Sequence, residues 1–438
     1  MYLLSKFPIT KSNYLNLLIF IIPVSFIAGN MVININLILL ILSTLILYRK
    51  EVFRIKYFFL DNLFFAFFFL VLLTGIINDY YFYSISLAWK GYFATIIKSI
   101  FFFKYLLLYI VLRYLIETNN LNFKYFFTSC TLMSVFVSFD IIYQFFNGTD
   151  IFGYVGIKNN LGGPFGDELI AGGYIQRFSI FSFFLIPLFY SEKYSKYLKF
   201  TTPFLFIVFL IAIILSGNRM PLLLFLLAVT LIIIFQKQTR RYFFPSIIIF
   251  TLIFYLLFNF NSKVKENFRA FYDQISKMTV IVLNKDFNNK NMPPYLKEFT
   301  SFHGTWLMNK YIGGGIKNFR YYCHERSNID KNSKFICNMH PHNYYLEILT
   351  ETGIIGFFLV STIFMIILYL TFFKKYFIRT KLNDNKIIIA FIFLFIAEIF
   401  PIKSTGSFFT TGNTTYLFLL IGILIGLARK DILIEKKY

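Results

Sequence analysis

The chain has 438 residues, of which 58% are hydrophobic, 22% aromatic and only 15% charged. Soluble domains carry about 25% charged residues, so the composition excludes an ordinary water-soluble protein and indicates an integral membrane protein. The net charge of +22 does not signal a nucleic-acid surface, because much of it sits in short stretches between apolar segments: Arg49-Lys50, Gln236 to Arg241 and Lys374 to Lys386. That distribution marks the cytoplasmic loops of a multi-span protein.

Taken in chain order, twelve apolar segments approach the ~20 residues that a bilayer requires. They are 14–29, 31–48, 57–77, 93–113, 125–146, 173–190, 200–216, 220–235, 242–260, 353–372, 387–404 and 413–428. The first follows Lys6 and Lys11 and is followed at once by another span, so it reads as an uncleaved signal anchor. Lys98, Lys104 and Arg177 interrupt the spans at 93–113 and 173–190, which are the least regular. Placing both termini and the basic loops in the cytoplasm leaves three notable outer segments: 147–172, the turn Ser216-Gly217-Asn218-Arg219, and a long loop from Asn261 to Pro341. The expected fold is an all-α polytopic bundle of about twelve helices. Residues 1–260 would form an N-terminal bundle of nine spans, 261–341 a large outer loop, and 342–438 the last part of the bundle. No internal repeat and no soluble catalytic domain is visible.

Cys130 lies in an apolar span and reads as a small buried residue. Cys323 and Cys337 both fall in the long loop, where a disulfide is permitted and would contribute ~3 kcal/mol in the chain-entropy model. Free thiols are an alternative. So is zinc, given His324, His340 and His342 nearby, although the spacing fits no standard zinc pattern.

One outer stretch stands apart. It reads His340-Pro341-His342-Asn343-Tyr344-Tyr345-Leu346-Glu347 and continues to Gly353-Ile354-Ile355-Gly356 at the start of an apolar run. A His-Asn pair, nine residues, a glycine, two residues and a second glycine form a spaced pattern. It resembles the signature of the bacterial O-antigen ligase and O-antigen polymerase family, membrane enzymes that move a glycan from a polyprenyl diphosphate carrier onto an acceptor hydroxyl. The resemblance implies a GT-C-like glycosyltransferase that needs no metal or other cofactor. It also implies a bacterial inner-membrane location, with the long loop and the active site on the periplasmic side. The implied donor is a glycan on undecaprenyl diphosphate. The acceptor would be lipid A–core for a ligase, or another carrier-linked repeat unit for a polymerase. A lipid-linked glycan transporter is a third reading, but the pseudo-symmetric halves expected of one are not apparent.

Such a transfer needs a base for the acceptor hydroxyl and positive charge for the departing diphosphate. Histidine suits the first task and arginine the second. His342 is the candidate base. Arg219, with leucine four positions on, is similar to the family's arginine motif and is the first diphosphate candidate; a helix-end arginine that snorkels to lipid phosphates is the plainer alternative. Arg177 is the second, because a charge inside a span asks for a cavity or a partner. Asp167 and Glu168 are candidate partners for it, candidate acceptor-binding groups together with Asn343, or the base if His342 does not act as one. The segment Asn343 to Thr352 is expected to form a short surface helix whose free N-terminal N–H groups would favour a diphosphate beside His342. Gly353 and Gly356, one turn apart, would present a small face for close helix packing. Gly313-Gly314-Gly315 reads as a turn ahead of the histidine segment. Lys317, Arg320 and Arg269 add loop charge, and Asp61, Asp140, Glu398 and Lys403 lie in or beside spans without partners that sequence can name.

Overall fold

A computed structural model of the chain describes residues 11–81, 93–157, 160–190, 198–236, 239–285, 292–326, 337, 340–378 and 386–435. Lys6 and the middle of two basic loops, 237–238 and 379–385, lie outside the described residues. The regular elements among the described residues are helices, with two isolated β-bridges, Thr149 to Val155 and Ile157 to Asn160, in one loop. The helices are α1 (Lys11–Ala28), α2 (Asn30–Tyr48), α3 (Phe59–Tyr81), α4 (Ala94–Phe102), α5 (Lys104–Glu117), α6 (Phe123–Asn147), α7 (Ala171–Phe178) and α8 (Ser182–Phe189). They continue as α9 (Leu198–Leu215), α10 (Arg219–Phe235), α11 (Phe243–Phe260), α12 (Ser262–Leu283), α13 (Pro294–Trp306), α14 (Tyr344–Leu368), α15 (Lys386–Glu398) and α16 (Thr411–Glu435).

Nine helical segments among the described residues are long and apolar enough to cross a membrane, counting α4–α5 and α7–α8 as one each. Shorter apolar helices, α9, α10 and α15, occupy the three remaining predicted spans. Both spans that charged residues interrupt are broken: α4 passes to α5 at Phe103, and α7 to α8 through the tight turn Ser179–Phe181. One boundary differs. The span read as 387–404 stops at Glu398, and residues 399–410 run as a loop. Phe400 and Ile402 prolong the apolar run in the sequence, but Pro401 cannot continue a helix.

The centre of the bundle is α16 against α5. Gly422 and Gly426 lie one turn apart, and a Cβ on either would come within 2.9 or 3.0 Å of the Cβ atoms of Leu112 and Ile116. The two backbones therefore meet through a small-residue stripe. α15 is buried almost all round, as a helix apolar on every face must be. Its Phe391 ring meets those of Phe123, Phe126, Phe127 and Phe181 at centroid separations of 4.9–6.1 Å, so aromatic packing takes the place of a simple aliphatic core. At the other extreme α11 buries no residue and faces the surroundings.

At one end of the bundle the fully buried Arg113 bonds to Asp61, to Glu117 Oε1 at 3.0 Å and to the Lys56 carbonyl at 3.3 Å. Arg429 joins Glu117 at 3.6 Å. The basic segments Arg49–Arg54 and Arg240–Tyr242 belong to this same end, since they follow α2 and α10 where α5 and α16 also finish.

At the opposite end the segment after α11 forms α12 and α13 and then a glycine loop that docks on α14. Gly314 and Gly315 donate to the carbonyls of Thr350 and Glu351 at 3.0 and 2.8 Å, while Ile354 donates to the Lys310 carbonyl at 2.9 Å. This exchange occurs where α14 breaks: Gly353 has φ 67° and ψ −172°. A Cβ on Gly353 would lie 2.1 Å from the Tyr311 carbonyl oxygen, and one on Gly313 would lie 2.4 Å from the Glu351 carbonyl carbon. Glycine is required on both sides, for the left-handed backbone and for the close approach. The helix expected over 343–352 is thus present as the first half of α14, and Gly353 marks its break with the membrane-spanning half. Gly356 gives room to the Thr352 side chain and to Leu70 of α3.

A candidate active site at one end of the bundle

A cavity of about 350 Å³ opens at the end of the bundle opposite Arg113. The turn between α1 and α2, the loop before α7, the Asn218 turn, His340 and the loop 399–410 converge on it. Its polar lining includes Glu168, Arg177, Asn218, His340, Lys403 and Asn413.

Arg177 and Lys403 share one carboxylate. Arg177 Nη2 donates to Glu398 Oε1 at 2.9 Å and to Asn413 Oδ1 at 2.6 Å. Lys403 Nζ reaches the same Glu398 oxygen at 2.6 Å, and the Tyr344 hydroxyl donates to it at 2.5 Å. The Arg177 guanidinium also lies 5.1 Å from the centroid of the Tyr416 ring, whose hydroxyl donates to the Arg177 carbonyl at 2.9 Å. Two cations against one anion leave a net positive wall, held rigid by aromatic and hydrogen-bonding neighbours. Burial lowers the Lys403 ammonium to about 8; Glu398 opposes that fall and Arg177 adds to it.

The loop carrying Lys403 is tied to α14 by side chains that the sequence placed in the histidine segment. Asn343 Nδ2 donates to the carbonyls of Pro401 and Lys403 at 2.8 and 3.1 Å. Its Oδ1 accepts from the N–H groups of Tyr345 and Leu346 at 3.0 and 3.2 Å. Glu347, buried, accepts from Ser407 Oγ and from the Phe408 N–H, both at 2.5 Å. Asn343 thus caps α14 through the Tyr345 and Leu346 N–H groups, and its amide braces the 399–410 loop.

His340 lies on the cavity wall, and the His342 ring packs edge-on behind it at a centroid distance of 4.5 Å. His342 has φ 53°, a left-handed conformation uncommon outside glycine. Burial depresses both imidazoles, His340 to about 4 with His342 adding to the effect. Both are therefore neutral at physiological pH, the state in which an imidazole can accept a proton.

The other sequence-derived candidates fall as follows. Glu168 lines the cavity; Asp167 beside it is exposed. The partner that the structure gives Arg177 is Glu398, which lies 221 residues away, and not Asp167 or Glu168. Arg219 begins α10, between the cavity-lining Asn218 and Pro221, but its guanidinium sits 5.4 Å from the Phe271 ring of α12. Gly172 lets α7 approach the Ser216–Asn218 turn, where a Cβ would come within 2.5 Å of Ser216 Oγ. Cys323 and Cys337 form a disulfide, so the thiolates that a zinc site would have used are occupied. Asp140 accepts from the Ile151 N–H at 2.9 Å and ties the start of the loop that follows α6 to that helix.

Sequence reasoning gave no partner to Glu398 and Lys403, and no role to Tyr344 and Glu347. The signal for the first two was their charge beside an apolar run. Tyr344 and Glu347 stood inside the histidine segment, but nothing local shows that they face residues more than fifty positions on.

Comparison with known proteins bears on this geometry. Residues 204–361 match the family model described as O-antigen ligase. The matched stretch runs from α9 to the middle of α14 and contains Arg219, the glycine loop, His340, His342 and Glu347. Arg177, Glu398 and Lys403 lie outside it. No curated protein matches the chain. The match covers about a third of the chain, which is thus similar to the O-antigen ligase family over that stretch, and the long apolar helices among the described residues fit a multi-pass membrane protein.

Proposed function

We propose that the protein transfers a glycan from undecaprenyl diphosphate to an acceptor hydroxyl, with the donor diphosphate seated in the cavity between α7, α10 and the 399–410 loop. The observation that carries this reading is the pairing of Arg177 and Lys403 on Glu398, across one cavity from a neutral histidine pair. The two cations would neutralise the diphosphate as its bond to the anomeric carbon breaks. Because they are already fixed in place, little reorganisation is needed at that moment. The acceptor oxygen attacks the anomeric carbon from the side opposite the leaving diphosphate and loses its proton to the imidazole pair. His342 is the base of this reading, and His340, which lines the cavity, packs against its ring. Attack from the opposite side inverts the anomeric centre. Arg219, next to the cavity-lining Asn218, would meet the carrier, and Glu168 lines the cavity for sugar hydroxyls. No step calls on a metal ion.

The basic loops at the opposite end of the bundle support a cytoplasmic assignment for that end, by the positive-inside rule. The cavity then faces the periplasm of a bacterial inner membrane. We favour a ligase that uses lipid A–core as acceptor; the alternative is a polymerase that uses a carrier-linked repeat. The test is the surface glycan profile of a host with the gene deleted and then restored. Bare lipid A–core after deletion identifies a ligase, and core bearing a single repeat identifies a polymerase. His342→Ala should be expressed yet fail to restore the ladder in either case. An unchanged profile after deletion would refute both.

A further inference from the structure

Four of the described helices begin at the cavity. Asn30 opens α2, Gly173 stands in the first turn of α7, Asn218 precedes α10 and Gly412 lies in the first turn of α16, and all four residues line it. The starts of α2, α7 and α10 carry no side-chain cap. Ahead of α16 the Thr410 hydroxyl donates to the Ser407 carbonyl at 3.0 Å and accepts from the Asn413 amide at 2.9 Å. Free N–H groups and the positive ends of helix dipoles, roughly +0.5 charge each, therefore gather around one space. Gln176, one turn beyond Gly173 on the same face of α7, lines that space as well. It is 2% exposed, and its amide nitrogen has no hydrogen-bond partner among the described residues. A buried donor left unpaired is costly, and a ligand in the cavity would supply the missing acceptor.

Packing accounts for Gly172, where a Cβ would come within 2.5 Å of Ser216 Oγ, but not for its neighbour. Outside its own turn, a Cβ on Gly173 would meet nothing nearer than Pro221 at 3.9 Å, and one on Gly412 nothing nearer than 3.8 Å. Neither glycine has a left-handed backbone. Alanine would fit both positions and is the better helix former. What a Cβ would obstruct there is the approach of a ligand to the backbone N–H groups. The two turns are also tied together, since Arg177, four residues after Gly173, donates to Asn413, next to Gly412, at 2.6 Å. Charge points the same way. Arg177 and Lys403 share Glu398 and so present one net positive charge, whereas a diphosphate diester carries a negative charge on each phosphate. Arg219, placed over the Phe271 ring, is not among the lining residues.

We propose that the first turns of α7 and α16, with the Gln176 amide, form a backbone cradle for the phosphate that the Arg177–Lys403 wall leaves unbalanced. The cradle rests on the transferase reading above and adds to it N–H donors around Gly173 and Gly412, whichever acceptor is used. Full-length protein in phosphatidylcholine nanodiscs would be titrated with undecaprenyl diphosphate and, separately, with undecaprenol, which has the same tail and no phosphate. Unfolding temperatures would be measured on the same variants without ligand. Gly173→Ala and Gly412→Ala should each keep or raise the unfolding temperature, yet weaken undecaprenyl diphosphate binding about tenfold. Gln176→Leu should weaken it likewise, and undecaprenol binding should hold in all three. A lower unfolding temperature with unchanged diphosphate binding would make the glycines structural and overturn the cradle. Equal weakening of undecaprenol would mean that the added methyl groups only crowd the tail, and would overturn it too. Arg177→Gln separates this inference from the donor reading. If it weakens diphosphate binding while the other three variants bind as wild type does, the cradle alone fails. If it leaves diphosphate binding unchanged, the donor reading fails and the cradle falls with it.

Discussion

Glu398 is the residue on which the site turns. It neutralises one of two buried cations and fixes both, so its loss leaves Arg177 and Lys403 facing each other without a counter-charge. Removing one partner of a buried ion pair typically costs about 3–5 kcal/mol. Glu398→Gln should therefore lower the unfolding temperature of the detergent-solubilised protein clearly, whereas Glu168→Gln, at an exposed position, should leave it nearly unchanged. A second expectation concerns pH. Both histidines are held below the ordinary value of 6.5 by burial, so they stay neutral under acid conditions that would protonate a free imidazole. The acid limb of the transfer rate should then lie below 6.5. Lys403, lowered to about 8, loses its cation as pH rises through that value, and donor affinity should fall there. Lys403→Gln should weaken the donor below about pH 8 and remove that alkaline limb, as read from the apparent KM for the donor. At this scale the sequence was partly legible. An arginine in a span and a lysine beside one announced buried charge, but their common partner could not be read, because Arg177 and Glu398 are 221 residues apart in the chain.

Among the elements, α14 shows most clearly how local chemistry positions the site. Asn343 caps it, Glu347 anchors the Lys403 loop, and Gly353 breaks it so that its first half can receive the glycine loop. Gly353→Ala would place a methyl group against the Tyr311 carbonyl in a backbone conformation that alanine disfavours. The strain is of order 1–3 kcal/mol. The variant should unfold at lower temperature and lose the glycan ladder, although residue 353 does not line the cavity. The spans themselves were legible because a bilayer demands long apolar runs and the chain supplies them at intervals. The break at Gly353 was not, since a glycine one turn from another looks the same whether it serves packing or a kink. The stripe Gly422–Gly426 carried the packing signal and went unread in its apolar run. The loop 399–410 was hidden by Phe400 and Ile402, which extend the hydropathy of α15 past its true end.

Across the whole molecule, buried charge is divided between two ends. The Arg113 network closes the end that carries the basic loops, with its arginine fully enclosed by Asp61 and Glu117. The Arg177–Lys403 wall leaves the other end open to a cavity. A locked end and an open, positively charged end are what a membrane enzyme needs if it receives an anionic lipid-linked donor from one side only. The most direct test of this account is single-turnover transfer from a synthetic glycan on undecaprenyl diphosphate by purified protein in vesicles. Donor binding would be measured separately for wild type, His342→Ala and Arg177→Gln. The account predicts that His342→Ala binds the donor normally and transfers about 10²–10⁴-fold more slowly, and that Arg177→Gln loses donor affinity. Transfer at the wild-type rate by His342→Ala, together with undiminished donor binding by Arg177→Gln, would contradict it.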